Sequence, residues 1–209
     1  MMESYPAMLN LKNTMAIVVG GGQIAYRKIM GLLQAGACVT VISPEIHAEI
    51  EKLLAEKQIT WRKKVFEASD LDSAWIIIAA TNHQHINEDV ALAAQPHQLI
   101  NIVDNPERSN FHVPAKLTRG NLTISVATGG ASPILAKVIR DELAVIYDDS
   151  YAGYLEFLAV SRERIKQTFL DWKTKRQLLK DITEKPYRQS IEKQRAFLDL
   201  MDAFIVNLK

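Results

Sequence analysis

Apolar positions form short unbroken runs in the first half of the chain and widely spaced stripes in the second. Met15 to Val19, Val39 to Ile42, Ile59 to Arg62, Trp75 to Ala80 and Leu99 to Val103 read as strands. The segment from Ala74 to Ala80 is nearly all apolar, as a strand covered on both faces of a parallel sheet requires. Between the runs, Gln23 to Ala35, Glu45 to Lys57 and His85 to Ala94 read as helices, with Ile46, Ile50, Leu53 and Leu54 at helical spacing. Gly36 stands where a helix C-cap glycine belongs. Ser43-Pro44 is a turn expected to open the second helix with proline at its first position. Strands alternating with helices predict an α/β fold, a Rossmann-like, doubly wound parallel sheet with right-handed crossovers. The expected strand order is 3-2-1-4-5, with later segments adding further pairing.

The pattern changes after Pro114. Lys116 to Gly120 reads as a polar, basic link, and Leu122 to Ala127 alternates like a half-exposed strand. Thr128-Gly129-Gly130-Ala131-Ser132-Pro133 leads into a helix from Ile134 to about Tyr147, with Ser132 as N-cap and Pro133 as first residue. From Tyr151 onward the chain reads as helical. Tyr151, Leu155, Leu158, Ile165, Phe169 and Trp172 form one apolar stripe. After Pro186, a second is formed by Ile191, Leu198, Met201, Ile205 and Leu208. Such stripes are core or partner surface.

Composition narrows the class. The 209 residues suffice for one full core with a smaller appended unit, and the net charge of +1 carries no polyanion signature, so nucleic acid is not an expected partner. The start has no basic segment followed by an apolar one, and no run is long enough to span a bilayer. A cytoplasmic protein without membrane contact is expected. Cys38, the one cysteine, rules out an intramolecular disulfide and is expected to be buried and inert.

Chemistry gathers where the strands end, because ligands of such sheets sit outside the carboxyl ends. Gly20, Gly22 and Ala25 fit the G-x-G-x-x-G/A spacing of a dinucleotide-binding turn: a tight turn, close approach to a pyrophosphate, and close packing of helix on strand. Gln23 and Ile24 then open a helix whose free N–H groups and partial positive charge suit phosphates. An Asp or Glu normally follows the second strand to hold the ribose hydroxyls. Ser43 and Pro44 occupy that place, no basic residue immediately follows, and NAD is the expected cofactor. Thr81, Asn82 and Asp104 follow the fourth and fifth strands. Asp104 is a general base or substrate orienter, or else a turn-forming residue ahead of Asn105-Pro106. Thr128 to Ser132 is either a second anion-binding helix entry or a plain capped helix start. Lys116, Arg119, Lys137 and Arg140 flank it as an electropositive mouth or as scattered surface charge. His83 and His85 do not share a helix face and no further ligands complete a site, so no metal site is expected. His112 is a secondary acid/base candidate or a residue at a strand edge.

These residues together resemble the precorrin-2 dehydrogenases of sirohaem biosynthesis, including the dehydrogenase/ferrochelatase part of sirohaem synthase. The resemblance rests on Ile17 to Gly22 with Ala25, Arg27 and Lys28, and on Ala35-Gly36-Ala37. It continues through Ile78 to Asn82, Asn101-Ile102-Val103-Asp104, Phe111 with Pro114, and Thr128 to Pro133 with Ala136, Ile139 and Arg140. It implies NAD-dependent oxidation of precorrin-2 to sirohydrochlorin, with Asp104 as the catalytic residue. It also implies a homodimer joined through the segment around Asn121 to Leu143, and a helical tail on the substrate side. The substrate's eight carboxylates would give Thr128, Lys116, Arg119, Lys137 and Arg140 a binding role. Some family members also insert iron, using the same aspartate. The implied division is a Rossmann-like NAD-binding domain over 1–114, a dimerisation segment over 115–148 and a C-terminal helical domain over 149–209. Two other readings remain. A non-catalytic nucleotide-sensing regulatory module accounts for Gly20 to Ala25 and the helical stripes, but not for Asp104 together with Thr128 to Pro133. Another small-molecule reductase on the same scaffold is the third.

Overall fold

The computed structural model of the chain describes residues 5–206. The chain divides between Val113 and Pro114 into two compact units.

The first unit holds a five-stranded parallel sheet formed by β1 (Met15–Val19), β2 (Cys38–Ile42), β3 (Ile59–Arg62), β4 (Ile76–Ala79) and β5 (Leu99–Ile102). The order is β3-β2-β1-β4-β5, as the alternation predicts. Side chains alternate across the sheet. Ala16, Val18, Ile76 and Ile78 enter one buried layer with Ala25, Ile29 and Leu32 of α1 (Gln23–Gln34) and with Ile50 and Leu53 of α2 (Ala48–Ala55). Ile17, Val19, Ile77 and Ala79 enter the other with Val90 of α3 (Gln84–Ala93) and Leu71. Both faces are covered, hence the unbroken apolar runs.

The helix α1 ends at Gly36 with φ +82°, where Ala37 N–H reaches the Leu32 carbonyl and Gly36 N–H the Leu33 carbonyl. The second helix is shorter than its sequence pattern. It starts at Ala48 rather than Glu45, capped by the His47 ring, whose Nδ1 accepts from the Glu49 amide at 3.2 Å. Pro44 is therefore not its first residue, because residues 43–47 fold against the glycine turn instead. Cys38 is exposed, contrary to expectation: it lies at the open amino end of β2, opposite the equally accessible Met15.

The second unit begins with an antiparallel hairpin, β6 (Ala115–Arg119) and β7 (Leu122–Val126), turned by Gly120 at φ +54° and Asn121. The expected basic link at Lys116 to Gly120 is thus a strand. Only Leu117 is buried, and the exposed polar residues around it hide the strand pattern. This hairpin forms its own two-stranded sheet instead of extending the first. Helix α4 (Pro133–Ile146) starts as expected, with Ser132 Oγ accepting from the Leu135 amide at 3.1 Å.

Four helices follow: α5 (Ser150–Gln167), α6 (Trp172–Asp181), α7 (Lys185–Gln189) and α8 (Ile191–Val206). Their core is Tyr154, Phe157, Ile165, Ile182, Phe197 and Met201. The expected stripes therefore need correction. Ile165 and Met201 are core as expected, with Tyr151, Leu155, Leu158 and Leu198 packed against it, but Phe169, Trp172 and Ile191 are exposed and Tyr154, Phe157 and Phe197 join the core. The phase breaks at Thr168, whose hydroxyl donates to the Ile165 carbonyl, and Asp171 then caps a new helix. Leu208 lies outside the described residues. No helix among the described residues is long and apolar enough to cross a membrane.

Candidate functional site

The three glycines after β1 have different surroundings. Gly20, at φ +119°, donates to the Ile42 carbonyl, and a Cβ there would lie 2.4 Å from the Ala80 carbonyl oxygen. A Cβ on Gly21 would lie 2.0 Å from the Glu45 carbonyl oxygen and 2.9 Å from Ser43 Oγ. A Cβ on Gly22 would meet nothing within 4 Å. Two glycines thus admit the protein's own backbone, and Gly22 alone of the three opens to free space. No side chain caps α1, its first turn holds no acid, and Gln23 and Ile24 are exposed there. Free amides, a partial positive charge and an unfilled glycine cradle fit a dinucleotide pyrophosphate. The packing role of Gly21 was not legible in the spacing, because its partner comes from the far end of β2.

Ser43 is buried and internally engaged. Its hydroxyl donates to the Glu45 carbonyl at 2.6 Å, its amide donates to the Arg62 carbonyl, and its carbonyl accepts from the Trp61 indole. Pro44 is exposed beside it. Thr81 is tied down as well: its amide donates to Asn87 Oδ1, its carbonyl accepts from Asn87 Nδ2, and its hydroxyl accepts from the His83 amide. Asn87 is 1% exposed and orients this turn. Its signal in the sequence was an amide on the inner face of α3, beside Ile86 and Val90. Asn82 is exposed.

Asp104 lies in the turn after β5, exposed and with no hydrogen bond or ion pair to another described residue. It lines a narrow crevice with Asn87, Glu88, Asn105 and Arg108, where Arg108 pairs with Glu88 at 3.3 Å. The segment carrying it folds back along the open edge of β5. Ile102 N–H donates to Ser109 Oγ and Ile100 N–H to Asn110 Oδ1, which satisfies an edge that has no further strand. Asn101 extends this clamp, accepting from Lys28 Nζ at 3.2 Å and donating to the Phe111 carbonyl. Burial, followed by the neighbouring Arg27 charge, lowers the Lys28 pKa.

In the second unit, Thr128 Oγ1 accepts from the Ser132 amide and donates to the Ser132 carbonyl, closing a loop around Gly129 and Gly130. Both glycines have positive φ and face open space. Of the basic candidates, Arg119 lies 3.0 Å from Asp149 and Arg140 pairs with its neighbour Asp141. Lys116 and Lys137 are exposed on β6 and α4. A cavity of about 700 Å³ is lined by Ile146, Asp148, Asp149, Tyr151, Arg188 and Gln194. Arg188 donates to the Tyr151 hydroxyl and lies over its ring, a pair the sequence reading missed. The Ser150 hydroxyl and then its amide hold the Asp148 carboxyl below its usual range, with Arg188 and Arg119 adding to the pull.

His83 and His85 have ring centroids 5.7 Å apart, and His112 is exposed in an irregular segment rather than at a strand edge. No group of three or more metal-ligating side chains occurs among the described residues.

Comparison with known proteins divides the chain in the same order. A family model described as "Putative NAD(P)-binding" matches residues 7–115, "Sirohaem biosynthesis protein central" matches 119–145, and "SirC C-terminal domain" matches 151–197. A precorrin-2 dehydrogenase of Priestia megaterium is 38% identical, covering 96% of this chain and 99% of that protein. The solved structure of SirC, a precorrin-2 dehydrogenase, matches with a TM-score of 0.86 and 38% identity, covering 96% of this chain and 100% of that one. A siroheme synthase of Methylobacillus flagellatus is also 38% identical over 87% of this chain, which spans 39% of that relative's length. With a near-complete match in sequence and structure, the chain belongs to the precorrin-2 dehydrogenase family, a family of oxidoreductases.

Proposed function

We propose that this chain oxidises precorrin-2 to sirohydrochlorin with NAD. The observation that carries this reading is Asp104, an exposed carboxylate without a partner, at the same carboxyl edge of the sheet as the open glycine cradle. NAD, when bound, supplies the acceptor for a hydride from the reduced macrocycle. The chain's part is to hold it, through the Gly20–Gly22 turn, Gln23 and Ile24, with Ser43, Pro44, Thr81 and Asn82 lining the strand ends. Asp104 takes the proton lost as conjugation extends. Thr128, Lys116, Arg119, Lys137 and Arg140 are the proposed contacts for the substrate carboxylates. Lys137 is exposed, whereas Arg119 and Arg140 must exchange an internal acid for a ligand.

The three-part division at 1–114, 115–148 and 149–209 is supported by the three family matches. A homodimer is supported by the exposed apolar residues of α4, where Ile134, Leu135, Val138, Val145 and Ile146 have no partner in one chain's core. We assign the protein to the cytoplasm, acting without membrane or nucleic acid, in line with its near-neutral charge.

The test is anaerobic conversion of precorrin-2 with NAD, followed by product absorbance. Asp104→Ala should lower turnover by about 10²–10⁴-fold while NAD affinity stays within about twofold. Binding of NAD without turnover by the native chain would instead favour the nucleotide-sensing module. Adding ferrous iron to the product, as second substrate, asks whether Asp104 also serves iron insertion.

A further inference from the structure

We propose that Glu45 reads the adenosine ribose of NAD and sets the preference for NAD over NADP. This rests on the dinucleotide reading of the glycine turn.

The carboxyl ends of β1 and β2 are level, since Val19 is opposite Ile42 and Gly20 donates to the Ile42 carbonyl. The residue after Ile42 would ordinarily carry the acid that holds both ribose hydroxyls. Ser43 stands there, and its amide, carbonyl and hydroxyl proton are all engaged within the protein. What remains of it is a lone pair on a buried oxygen. The same hydrogen bond that engages Ser43 brings the Glu45 carbonyl to the glycine turn, 2.0 Å from where a Cβ of Gly21 would lie. His47 N–H donates to the Gly21 carbonyl at 2.7 Å and holds the segment in place. Glu45 is therefore the first acidic residue after β2, and its backbone carbonyl sits against the phosphate-binding turn. The residue is exposed, and its carboxylate has no hydrogen bond or ion pair to another described residue. A carboxylate there accepts from both hydroxyls of an unphosphorylated ribose and repels a 2′-phosphate.

The opposing charges come from the end of β3 and the residues that follow it. Arg62 and Lys64 both reach Asp70 at 3.2 Å, and Lys64 also reaches Glu67. Lys63 lies 5.6 Å from the Trp61 ring centroid and is the control cation for a competing role in 2′-phosphate binding.

Titration calorimetry of the full chain with NAD and with NADP separates the two. The native chain should prefer NAD by about tenfold or more, and Glu45→Gln should weaken NAD about tenfold without weakening NADP. Glu45→Arg should turn the preference toward NADP, and Lys63→Gln should leave the ratio unchanged. Since Glu45 is exposed, melting temperatures should not move. A Glu45→Gln variant with native NAD affinity and native preference overturns the assignment. So does a native chain that takes both dinucleotides equally and loses NADP in Lys63→Gln. Failure of the native chain to bind either one overturns the dinucleotide reading with it. Glu45-dependent NAD binding without precorrin-2 oxidation supports the assignment while removing the proposed reaction.

Discussion

The unit ending at Val113 and the unit beginning at Pro114 are held together in different ways. In the first, consecutive strand residues enter opposite buried layers, and the turns that carry the site are fixed by backbone groups far apart in sequence. In the second, the hairpin buries little of itself, while the helices rely on caps and one aromatic cluster. Large apolar side chains such as Ile134, Val145, Phe169 and Trp172 stay exposed there. The first unit therefore fails when a close backbone approach is blocked. The second fails when a single side-chain hydrogen bond is removed.

A pair of glycine variants breaks this comparison most directly. In Gly20→Ala the new methyl would lie 2.4 Å from the Ala80 carbonyl oxygen, at a φ of +119°. A loss of roughly 3–5 kcal/mol is expected, read as faster amide exchange throughout β1 and β4. Gly129→Ala, at φ +59° with nothing within 4 Å, carries only the left-handed backbone penalty of about 1–2 kcal/mol. Equal losses at the two positions would show that close approach is not what distinguishes them.

The second unit's weak point is a single hydroxyl. Tyr154 is buried and its OH donates to the Ile182 carbonyl at 2.8 Å, joining α5 to the end of α6. Tyr154→Phe keeps the ring stacking but leaves that carbonyl unpaired, at an expected cost of about 1–3 kcal/mol. Urea unfolding and amide exchange in α5 and α6 would measure it. If Tyr154→Phe matches native stability, aromatic packing alone holds the helices.

The same contrast explains what the sequence could reveal. The parallel sheet and its order were legible because burial on both faces leaves unbroken apolar runs, as at Ile76 to Ala79. The glycine cradle and Asp104 were legible because a ligand at strand ends demands particular residue types there. Contacts between distant segments were not: nothing near Gly21 announces the Glu45 carbonyl, and nothing near Thr81 announces Asn87. In the second unit, the exposed lysine and threonine of β6 masked a strand. The cap at Thr168 shifted the helical phase, so Phe169 and Trp172 fell outside the core that Tyr154 and Phe157 fill.

The smallest expected effects are pH-dependent: stability rises with pH in both units, in the alkaline range at Lys28 and in the acid range at Asp148. Burial lowers the Lys28 pKa, with Arg27 adding to it, so the folded chain releases this proton at a lower pH than the unfolded chain does. Between the two values the unfolded state holds more protons, and stability contributed at Lys28 rises with pH. It levels off above the unfolded lysine value of about 10.4. Asp148 has the same sign at acid pH, but there the charged form is the favoured one. Ser150 holds its carboxyl low, so its contribution is present above the unfolded aspartate value and is lost as pH falls through the folded one. Urea midpoints across the pH range should show Lys28→Met removing an alkaline rise and Ser150→Ala removing an acid-side loss. Both variants leave the mid-range slope alone. A Lys28→Met curve parallel to the native one would mean that Lys28 has the same pKa folded and unfolded. Its bond to Asn101 would then pin the Asp104 segment without any cost in burying charge.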